Sequence, residues 1–292
     1  MEKIQPDLFF SPDGILCLGW KGTQYGVIHD INFVHRPQDL KFSNRKYYNY
    51  FFPRFAQKAT RLATVSEFSK QDIHSSFGIE NDKIDVVYCG INAFYRPVDA
   101  AVATETRKRY TDGKPYFIFV GSLSPRKNVM GLMNAFELFK KETGSDLRLV
   151  VAGHDMYKAN VLYDRKKEMQ FGKDVIFTGR VEDSDLNLLL ASSHALVFVP
   201  FFEGFGIPAI EAMQCNVPVI ASNVTSVPEV VGDAALLVDP NSTEQIKDAM
   251  KALVQNNDLR LDLIEKGRKR KEFFSWSKTA ELLWTGIQRC LS

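Results

Sequence analysis

The sequence lacks the features of a membrane-spanning, disulfide-stabilised or nucleic-acid-binding protein. No apolar run reaches the length needed to cross a bilayer. The net charge is only +2, without the electropositive excess of a dedicated nucleic-acid binder. The 4 cysteines stand far apart and form no C-x-x-C pair, which argues against a zinc site and for a reduced compartment. We therefore expect a soluble, cytoplasmic protein that binds no nucleic acid.

From about Pro115 onward, apolar strand-like runs alternate with helical segments. Strands buried on both faces and separated by helices are typical of a parallel sheet with helices on each side. The sequence therefore predicts an α/β, doubly wound domain whose ligands bind at the carboxyl ends of the strands. The predicted strands are 116–120, 147–152, 175–177, 195–199, 217–221 and 234–238, and the predicted helices are 128–141, 157–170, 185–191, 208–213 and 243–254.

The front portion also alternates, but it is short for a complete α/β domain and no glycine-rich turn opens it. We interpret it as the back half of a domain whose beginning is absent. The predicted domains are residues 1–98, residues 99–274 and a terminal helix, 275–292, that packs back towards the first domain. The front strands are predicted at 8–10, 25–29, 63–65 and 84–87, the helices at 45–58 and 68–75, and a hinge at 92–104.

Two glutamates, Glu203 and Glu211, bracket a glycine-containing run between a predicted strand and a predicted helix. Glycines let the backbone approach a ligand closely, and a helix amino terminus binds phosphate. Carboxylates beside a phosphate site make sense if the ligand also carries hydroxyls, since carboxylates accept hydrogen bonds from sugar rings. A nucleotide-sugar has both parts.

Several ordered motifs carry a resemblance to a known family. In the second domain they are residues 121–128 (GSLSPRKN), 177–181 (FTGRV), the two-glutamate run, 218–222 and 226–230; in the front portion they are 27–30, 64–69 and 86–92. The chain resembles the retaining glycosyltransferases of the large bacterial family that includes mannosyltransferases. This resemblance implies the GT-B fold, with two Rossmann-type doubly wound domains, the first incomplete here.

The resemblance also implies roles for individual residues. Lys127 would bind the donor diphosphate, Glu203 the hydroxyls of the transferred sugar and Glu211 the ribose, while His29 would face the donor sugar. Lys127, Glu203 and His29 are the candidate catalytic residues. Ser122 stands where the family often has arginine, and Arg126 is the candidate substitute. The candidate donor-binding residues are Arg126, Ser122, Gly121, Arg180, Gly204, Phe205, Gly206, Ile207 and Glu211.

A run of Asp183, Ser184 and Asp185 imitates the D-x-D metal motif of other sugar transferases. Because a helical run follows it directly, we interpret it as a helix cap. Lys127 and Arg126 supply positive charge for the leaving diphosphate, so no metal and no cofactor beyond the donor is expected. GDP-mannose is the favoured donor, with UDP-sugars as the alternative.

Two surface runs remain. Residues 268–271 (RKRK) are interpreted as a solvated face. Residues 45–55 mix cations with aromatics, a composition that suits an anionic membrane interface but also an ordinary amphipathic helix packed on the domain. Both interpretations stay open, and the first would place the protein peripherally at the inner face of the membrane.

The sequence therefore predicts a metal-independent retaining transferase that moves a hexose from a nucleotide-diphosphate sugar to a glycan or lipid-linked acceptor. Donor binding is expected mostly in the carboxyl domain and acceptor binding mostly in the amino domain. Two alternatives remain open: a truncated or inactive nucleotide-sugar-binding protein, and a GT-B-type epimerase or hydrolase acting on the same kind of donor.

Overall fold

The structure is a computed structural model that describes residues 6–292 and forms two compact units. The first unit contains the chain up to Gly90, together with Glu203–Phe205 and Phe274–Ser292. The second contains Ile91–Phe202 and Gly206–Phe273. The predicted boundaries lay after residues 98 and 274. Three residues of the two-glutamate run, Glu203–Phe205, therefore belong to the first unit, while the residues on both sides of them belong to the second.

The secondary structure alternates as the sequence predicts, and element ends differ from the predicted ones by at most three residues. The strands are β1 (Phe9–Ser11), β2 (Gln24–Val27), β3 (Arg61–Thr64), β4 (Ile84–Val86), β5 (Tyr116–Val120), β6 (Arg148–Ala152), β7 (Val175–Gly179), β8 (Ala195–Phe198), β9 (Val219–Ser222) and β10 (Ala235–Val238). The helices are α1 (Asn32–His35), α2 (Phe42–Lys58), α3 (Glu67–Phe77), α4 (Ala100–Thr111), α5 (Val129–Thr143), α6 (Asn160–Glu168), α7 (Asp183–Ala191), α8 (Ile207–Gln214), α9 (Val227–Val231), α10 (Thr243–Gln255), α11 (Asn257–Arg270) and α12 (Trp276–Leu291).

The second unit is built on a parallel six-stranded sheet in the order β10-β9-β8-β5-β6-β7. Successive residues of β5 point to opposite faces, so Phe117 and Phe119 belong to one core cluster while Tyr116 and Ile118 belong to the other. Helices α5 and α10 supply side chains to the first cluster, and α7 and α8 to the second. Both faces are covered, which explains the continuous apolar strands of this region.

The first unit is built on a parallel four-stranded sheet in the order β1-β2-β3-β4. One face packs against α2 and α3, where Phe52, Phe55 and Ile73 are buried against Leu62. The other face packs against α12. Neighbouring strands follow chain order throughout this sheet, so its strand order does not reverse.

Helices α1, α4, α9 and α11 are absent from the sequence prediction. Helix α4 begins inside the predicted hinge, capped by Asp99, whose Oδ1 accepts from the Val102 backbone N–H at 2.8 Å. Its buried side chains include Thr106 and Thr111, whose hydroxyls bond to backbone carbonyls. Without a stripe of apolar residues, the 3.6-residue period that reveals a helix is missing.

The basic run 268–271 is only partly the solvated face that was predicted. Arg268 and Lys269 on α11 are exposed. Arg270 instead donates from Nε to the Val230 carbonyl at 2.8 Å and from Nη2 to the Glu229 carbonyl. Arg270 lies on the side of α11 that faces α9, and the carbonyls at the end of that short helix lack intrahelical donors.

Among residues 6–292, none of the helices combines the length and the apolar character that crossing a bilayer requires.

Helix α12 is held on the first sheet by a buried polar cluster around Asp85. The carboxylate accepts from the Tyr25 hydroxyl at 3.1 Å, from Arg61 Nη2 at 2.6 Å and from Arg289 Nη1 of α12 at 3.2 Å. Gly286 of α12 lies directly over this cluster. A Cβ at that position would stand 2.1 Å from the Tyr25 hydroxyl oxygen and 2.8 Å from Asp85 Oδ2.

We expect Gly286→Ala to destabilise the protein by about 2 kcal/mol, the range of an overpacked core, because Tyr25 is fully buried and hydrogen-bonded. Helix propensity alone predicts the opposite sign, a gain of about 1 kcal/mol. Unfolding followed by circular dichroism in urea distinguishes the two.

The matched control is Gly267→Ala on α11, where the new Cβ would meet the flexible Met213 side chain at 3.1 Å. This variant should lose less stability than Gly286→Ala. A stabilised Gly286→Ala protein would show that α12 does not pack as closely as the structure indicates.

Candidate functional site

The strand order of the second sheet reverses between β5 and β8, which are neighbours in the sheet although β6 and β7 come between them in the chain. In a doubly wound sheet, ligands bind outside the carboxyl ends of the two strands that flank such a reversal. The loop after β5 contains Gly121, Ser122, Arg126 and Lys127. The segment after β8 leads to Glu203. The candidate diphosphate loop and the approach to the two-glutamate run therefore leave the sheet side by side.

Hydrogen bonds tie these two segments together. The Phe201 backbone N–H donates to the Arg126 carbonyl at 2.8 Å, and Arg126 Nη1 donates to the Phe202 carbonyl at 3.0 Å. Asn128 Nδ2 donates to the Val199 carbonyl at 3.1 Å and to the Pro240 carbonyl at 2.7 Å. Arg126 thus has a structural bond at this position, and its part in phosphate binding stays a prediction.

Lys127 is buried at this edge, with only 8% of its surface exposed. It ends a short 3-10 turn, Pro125–Lys127, just before α5 begins. Its Nζ lies 5.2 Å from the centroid of the Phe198 ring at the end of β8. A lysine at a helix amino terminus opposes the helix dipole, and burying its charge costs further free energy. A bound anion would offset both costs.

Glycines allow three neighbouring strand ends to approach closely. The Gly121 N–H donates to the Ala152 carbonyl at 3.0 Å, and the Gly153 N–H donates to the Gly179 carbonyl at 3.0 Å. A Cβ at Gly153 would stand 1.8 Å from the Gly121 carbonyl oxygen, so no other residue fits there. Arg180 directly follows the edge strand β7 and is exposed, and two strands, β5 and β6, lie between β7 and β8.

The segment Glu203–Phe205 is held by the first unit. The Gly204 carbonyl accepts from the Ser66 hydroxyl at 2.7 Å and from the Ser69 hydroxyl at 3.2 Å. A Cβ at Gly204 would stand 2.5 Å from the His29 carbonyl oxygen. The structure therefore brings the predicted residues His29 and Gly204 together and explains why glycine follows Glu203.

The side chains around this segment differ in exposure. Glu203 is buried, with 7% of its surface exposed, whereas His29 is exposed and its Nε2 lies 3.2 Å from the Pro12 carbonyl oxygen. The Phe205 ring packs against Phe274 and Tyr88, with ring centroids 5.5 Å and 6.2 Å away. The apolar rings fix the backbone that carries Glu203.

Glu211 lies in the second turn of α8, because the helix already begins at Ile207 after Gly206. Gly206 has a φ of 111°, which favours glycine, and Pro208 occupies the second helical position. Helix-dipole stabilisation therefore does not explain Glu211.

The environment of Glu211 disfavours its charge. Burial raises the pKa of the Glu211 carboxyl to about 7, and the nearby Asp183 charge raises it further, while a hydrogen bond from the Tyr95 hydroxyl acts in the opposite direction. Tyr95 is buried and lies in the predicted hinge. Sequence reasoning missed it because no periodic pattern marks that segment.

A second position missed from the sequence is Thr225, in the loop after β9. Its φ of 59° is unusual for a β-branched residue. The nearby Ser222 hydroxyl, at the end of β9, is buried without a hydrogen-bond partner among residues 6–292. Since β9 neighbours β8, this strained loop lies on the same edge of the sheet as Lys127, and strain of this kind concentrates at binding sites.

The prediction that the D-x-D-like run is a helix cap is wrong in detail. Glu182 is the N-cap residue of α7 and makes no side-chain cap bond, while Asp183 and Asp185 lie within the first turn. Asp185 accepts from both Arg109 terminal nitrogens, at 3.2 and 3.1 Å, and from the Tyr110 hydroxyl at 3.0 Å. Its carboxylate connects α7 to α4.

Comparison with known proteins agrees with this geometry. The family described as "Glycosyl transferases group 1" matches residues 103–270, more than half of the chain. The family described as "Glycosyltransferase Family 4" matches residues 2–93. The chain belongs to the glycosyl transferases group 1 family. The resemblance inferred from the motifs is confirmed.

Individual relatives of the chain are also glycosyltransferases. The chain is 32% identical over 251 residues to O-antigen chain mannosyltransferase B of Escherichia coli, covering 86% of this chain and 66% of that protein. It is 27% identical over 232 residues to O-antigen chain mannosyltransferase RfbU of Salmonella typhimurium, covering 80% and 61%. The chain thus spans less than two thirds of the length of these curated relatives, marginally so for the first.

Solved structures show the fold of this glycosyltransferase-family chain. Sucrose-phosphate synthase from Thermosynechococcus elongatus aligns with a TM-score of 0.77 at 20% identity, covering 93% of this chain and 68% of that one. WaaG, a glycosyltransferase involved in lipopolysaccharide biosynthesis, aligns with a TM-score of 0.78 at 17% identity, covering 96% and 78%. The predicted α/β, GT-B-type architecture with two parallel sheets is confirmed.

We expect Glu211→Gln to be more stable than the parent protein at pH 8, by about 1 to 3 kcal/mol. The pKa of the Glu211 carboxyl rises from 4.5 to about 7 on folding, so the parent loses stability as pH rises through this interval. The advantage of the variant should therefore shrink as pH falls from 8 to 5. Urea unfolding at the two pH values measures it.

Glu265→Gln is the matched control, because Glu265 is an exposed carboxylate on α11. It should change stability little at either pH. A Glu211→Gln protein less stable than the parent at pH 8 would show that the Glu211 carboxylate stabilises the fold rather than serving a ligand.

Proposed function

We propose that this protein transfers a hexose, with mannose as the expected sugar, from a nucleotide-diphosphate sugar to a glycan or lipid-linked acceptor. The observation that carries the proposal is the buried ammonium group of Lys127 at the strand-order reversal of the second sheet. Membership of the glycosyl transferases group 1 family and the similarity to O-antigen mannosyltransferases support it.

The donor diphosphate is assigned to the loop after β5. Lys127 supplies a full positive charge there, and the unpaired N–H groups at the start of α5 supply partial positive charge. Both favour the anion that forms when the sugar leaves, which is the charge that must be stabilised in the transition state. We infer that no metal ion is needed for this step.

The two glutamates are assigned to hydroxyl groups of the donor. Glu211 would accept hydrogen bonds from the ribose, and Glu203 from the transferred hexose. Both carboxylates are shielded from water, which strengthens such bonds. His29 would lie near the reacting sugar, and Arg180 and Ser122 would contact the nucleotide part of the donor.

In the proposed reaction, the bond between the sugar C1 and the diphosphate oxygen breaks, and a bond from an acceptor hydroxyl oxygen to C1 forms. The acceptor proton passes to a diphosphate oxygen of the departing nucleotide. Attack on the face that the leaving group vacates retains the anomeric configuration. This route requires no covalent nucleophile from the protein.

We expect Glu203→Ala to lower transfer of mannose from GDP-mannose to a mannose-terminated oligosaccharide by about 100-fold or more. The alanine removes the carboxylate and one methylene, while the hydrogen bonds from the Ser66 and Ser69 hydroxyls to the Gly204 carbonyl remain. Calorimetric titration should therefore still detect the nucleotide. Transfer is measured with radiolabelled donor, and UDP-glucose serves as the second donor.

Glu265→Gln is again the control and should transfer normally. Near-normal turnover by Glu203→Ala would remove Glu203 from the sugar site. Failure of both GDP and UDP to bind the parent protein would overturn the donor site, whereas sugar release without acceptor would favour the epimerase or hydrolase alternative.

We also expect transfer to be unaffected when EDTA is added in excess to the assay, because Lys127 replaces the charge of a divalent cation at the diphosphate. A strong loss of activity that returns with added Mg²⁺ or Mn²⁺ would contradict this assignment. Circular dichroism with and without EDTA separates a catalytic from a structural effect.

A further inference from the structure

Three basic side chains lie close together at the edge of the second sheet where β5 and β8 begin, opposite the edge that holds Lys127. His194 directly precedes β8, and its backbone N–H donates to the Tyr116 carbonyl at the start of β5 at 2.7 Å. Arg107 lies on α4 and Arg260 on α11. The charge of Arg107 acts on Arg260, and both charges act on His194. We call Arg107, His194 and Arg260 the basic cluster.

Arg107 is held in place by a backbone carbonyl. Its Nε donates to the Ser192 carbonyl at 3.1 Å, and its Nη2 donates to the same oxygen at 3.0 Å. Among residues 6–292, its Nη1 forms no hydrogen bond. Because a guanidinium group has five N–H donors, Arg107 is fixed in direction and keeps donors for a further acceptor.

His194 connects the cluster to α10. Its Nε2 lies 3.2 Å from the Leu253 carbonyl oxygen, and its ring packs edge-on against Phe117 with centroids 5.7 Å apart. Burial lowers the pKa of the His194 imidazole, the bond to the Leu253 carbonyl acts in the opposite direction, and the charges of Arg260 and Arg107 lower the pKa further. The imidazole is therefore neutral near pH 7, and the two arginines carry the charge of the cluster.

Arg260 is the member of the cluster that the fold leaves unsatisfied. Its Nε is shielded from solvent and has no hydrogen-bond partner in the part of the chain that the structure describes. Burial lowers the pKa of the Arg260 guanidinium, and the charge of Arg107 lowers it further. Shielding an unpaired donor and an unpaired charge from water costs free energy. Packing of the second unit alone therefore does not explain this arginine.

No carboxylate neutralises the two arginines. Among the described residues 6–292, neither Arg107 nor Arg260 takes part in an ion pair. Arg109, two residues after Arg107, does pair with Asp185, at 3.1 Å. Arginine side chains that are withdrawn from water are normally paired. The missing counter-charge points to an anion that binds from solution.

The chemistry of the cluster favours a phosphate group. A guanidinium group presents its N–H donors in a planar fork that matches the spacing of phosphate oxygens. Two guanidinium groups balance the two negative charges of a phosphate, whereas a carboxylate balances only one of them. The partial burial of Arg260 suits a small ligand.

We propose that the basic cluster binds the phosphate group of a small ligand, with Arg107 and Arg260 donating to its oxygens and the His194 ring beside them. Inorganic phosphate and a phosphate monoester both present this group. The length of β5, about 13 Å, separates the cluster from the loop that holds Lys127. The cluster is therefore a separate site, and the proposal does not depend on the transfer reaction.

The experiment is calorimetric titration of the full chain with inorganic phosphate and with glycerol 3-phosphate, at constant ionic strength in chloride. The parent protein should bind one phosphate group with a Kd on the order of 1 mM. Arg260→Gln should weaken this binding by about tenfold or more, because a charged donor to the anion is lost. Tighter binding of glycerol 3-phosphate identifies a monoester as the ligand, and tighter binding of inorganic phosphate identifies the free anion.

Thermal unfolding separates ligand binding from a structural role of Arg260. Without phosphate, Arg260→Gln should be at least as stable as the parent, because it removes a shielded and unpaired charge. In about 20 mM phosphate, the Tm of the parent should rise by about 4 °C and that of the variant should not. A residue that only supports the fold would lower the Tm in both buffers when replaced.

The matched controls are Lys108→Gln on α4 and Lys269→Gln on α11, which remove exposed charges from the same two helices and should keep the phosphate affinity of the parent. Lys127→Ala should keep it as well. Loss of phosphate binding in Lys127→Ala, together with normal binding by Arg260→Gln, would assign the anion to the loop after β5 and overturn the proposal. Absence of phosphate binding by the parent would overturn it too.

Discussion

The reversal of strand order between β5 and β8 is the constraint on which the rest of the second unit depends. It makes neighbours of two loops that are far apart in the chain, and hydrogen bonds from the Phe201 backbone N–H and the Arg126 side chain join them. Only in this arrangement does Lys127 become buried beside Phe198. The glycines at the ends of β5, β6 and β7 then let the loop backbones approach one another closely. The charged Lys127 side chain is buried at this edge of the sheet, where hydrogen bonds hold the surrounding backbone in place.

The three charged residues central to the proposal share one physical property. Lys127 and Glu203 are buried, and burial raises the pKa of the Glu211 carboxyl. Moving a charged group out of water costs free energy. The raised pKa of the Glu211 carboxyl is a direct expression of this cost. A site that must discriminate a charged and hydroxylated ligand gains from such preorganisation, because its dipoles and charges need not reorganise when the ligand binds. The burial of these charged residues therefore lowers the stability of the fold while it favours recognition of the ligand.

The first unit combines two different uses of its helices. The cluster around Asp85 holds α12 against the sheet, so this helix belongs to the same unit as strands β1 to β4. Helix α2 buries Phe52 and Phe55 in the core of this unit and leaves Phe42 and Tyr50 exposed to solvent. The serine hydroxyls of Ser66 and Ser69 hold Gly204, so the start of α3 also positions the backbone beside Glu203.

The sequence by itself determined the alternation of strands and helices, the parallel sheets and the family, because apolar periodicity and ordered motifs are local properties of the chain. It also identified Lys127, Glu203 and Glu211 as candidates. It did not reveal α4, whose buried threonines lack an apolar stripe, nor Tyr95 and Thr225, which stand in segments without a period. Only the tertiary structure decided that Glu203–Phe205 belongs to the first unit, that Arg270 bonds to α9 and that the Tyr95 hydroxyl bonds to the Glu211 carboxylate. These properties arise from contacts between residues distant in sequence, and no local pattern encodes them.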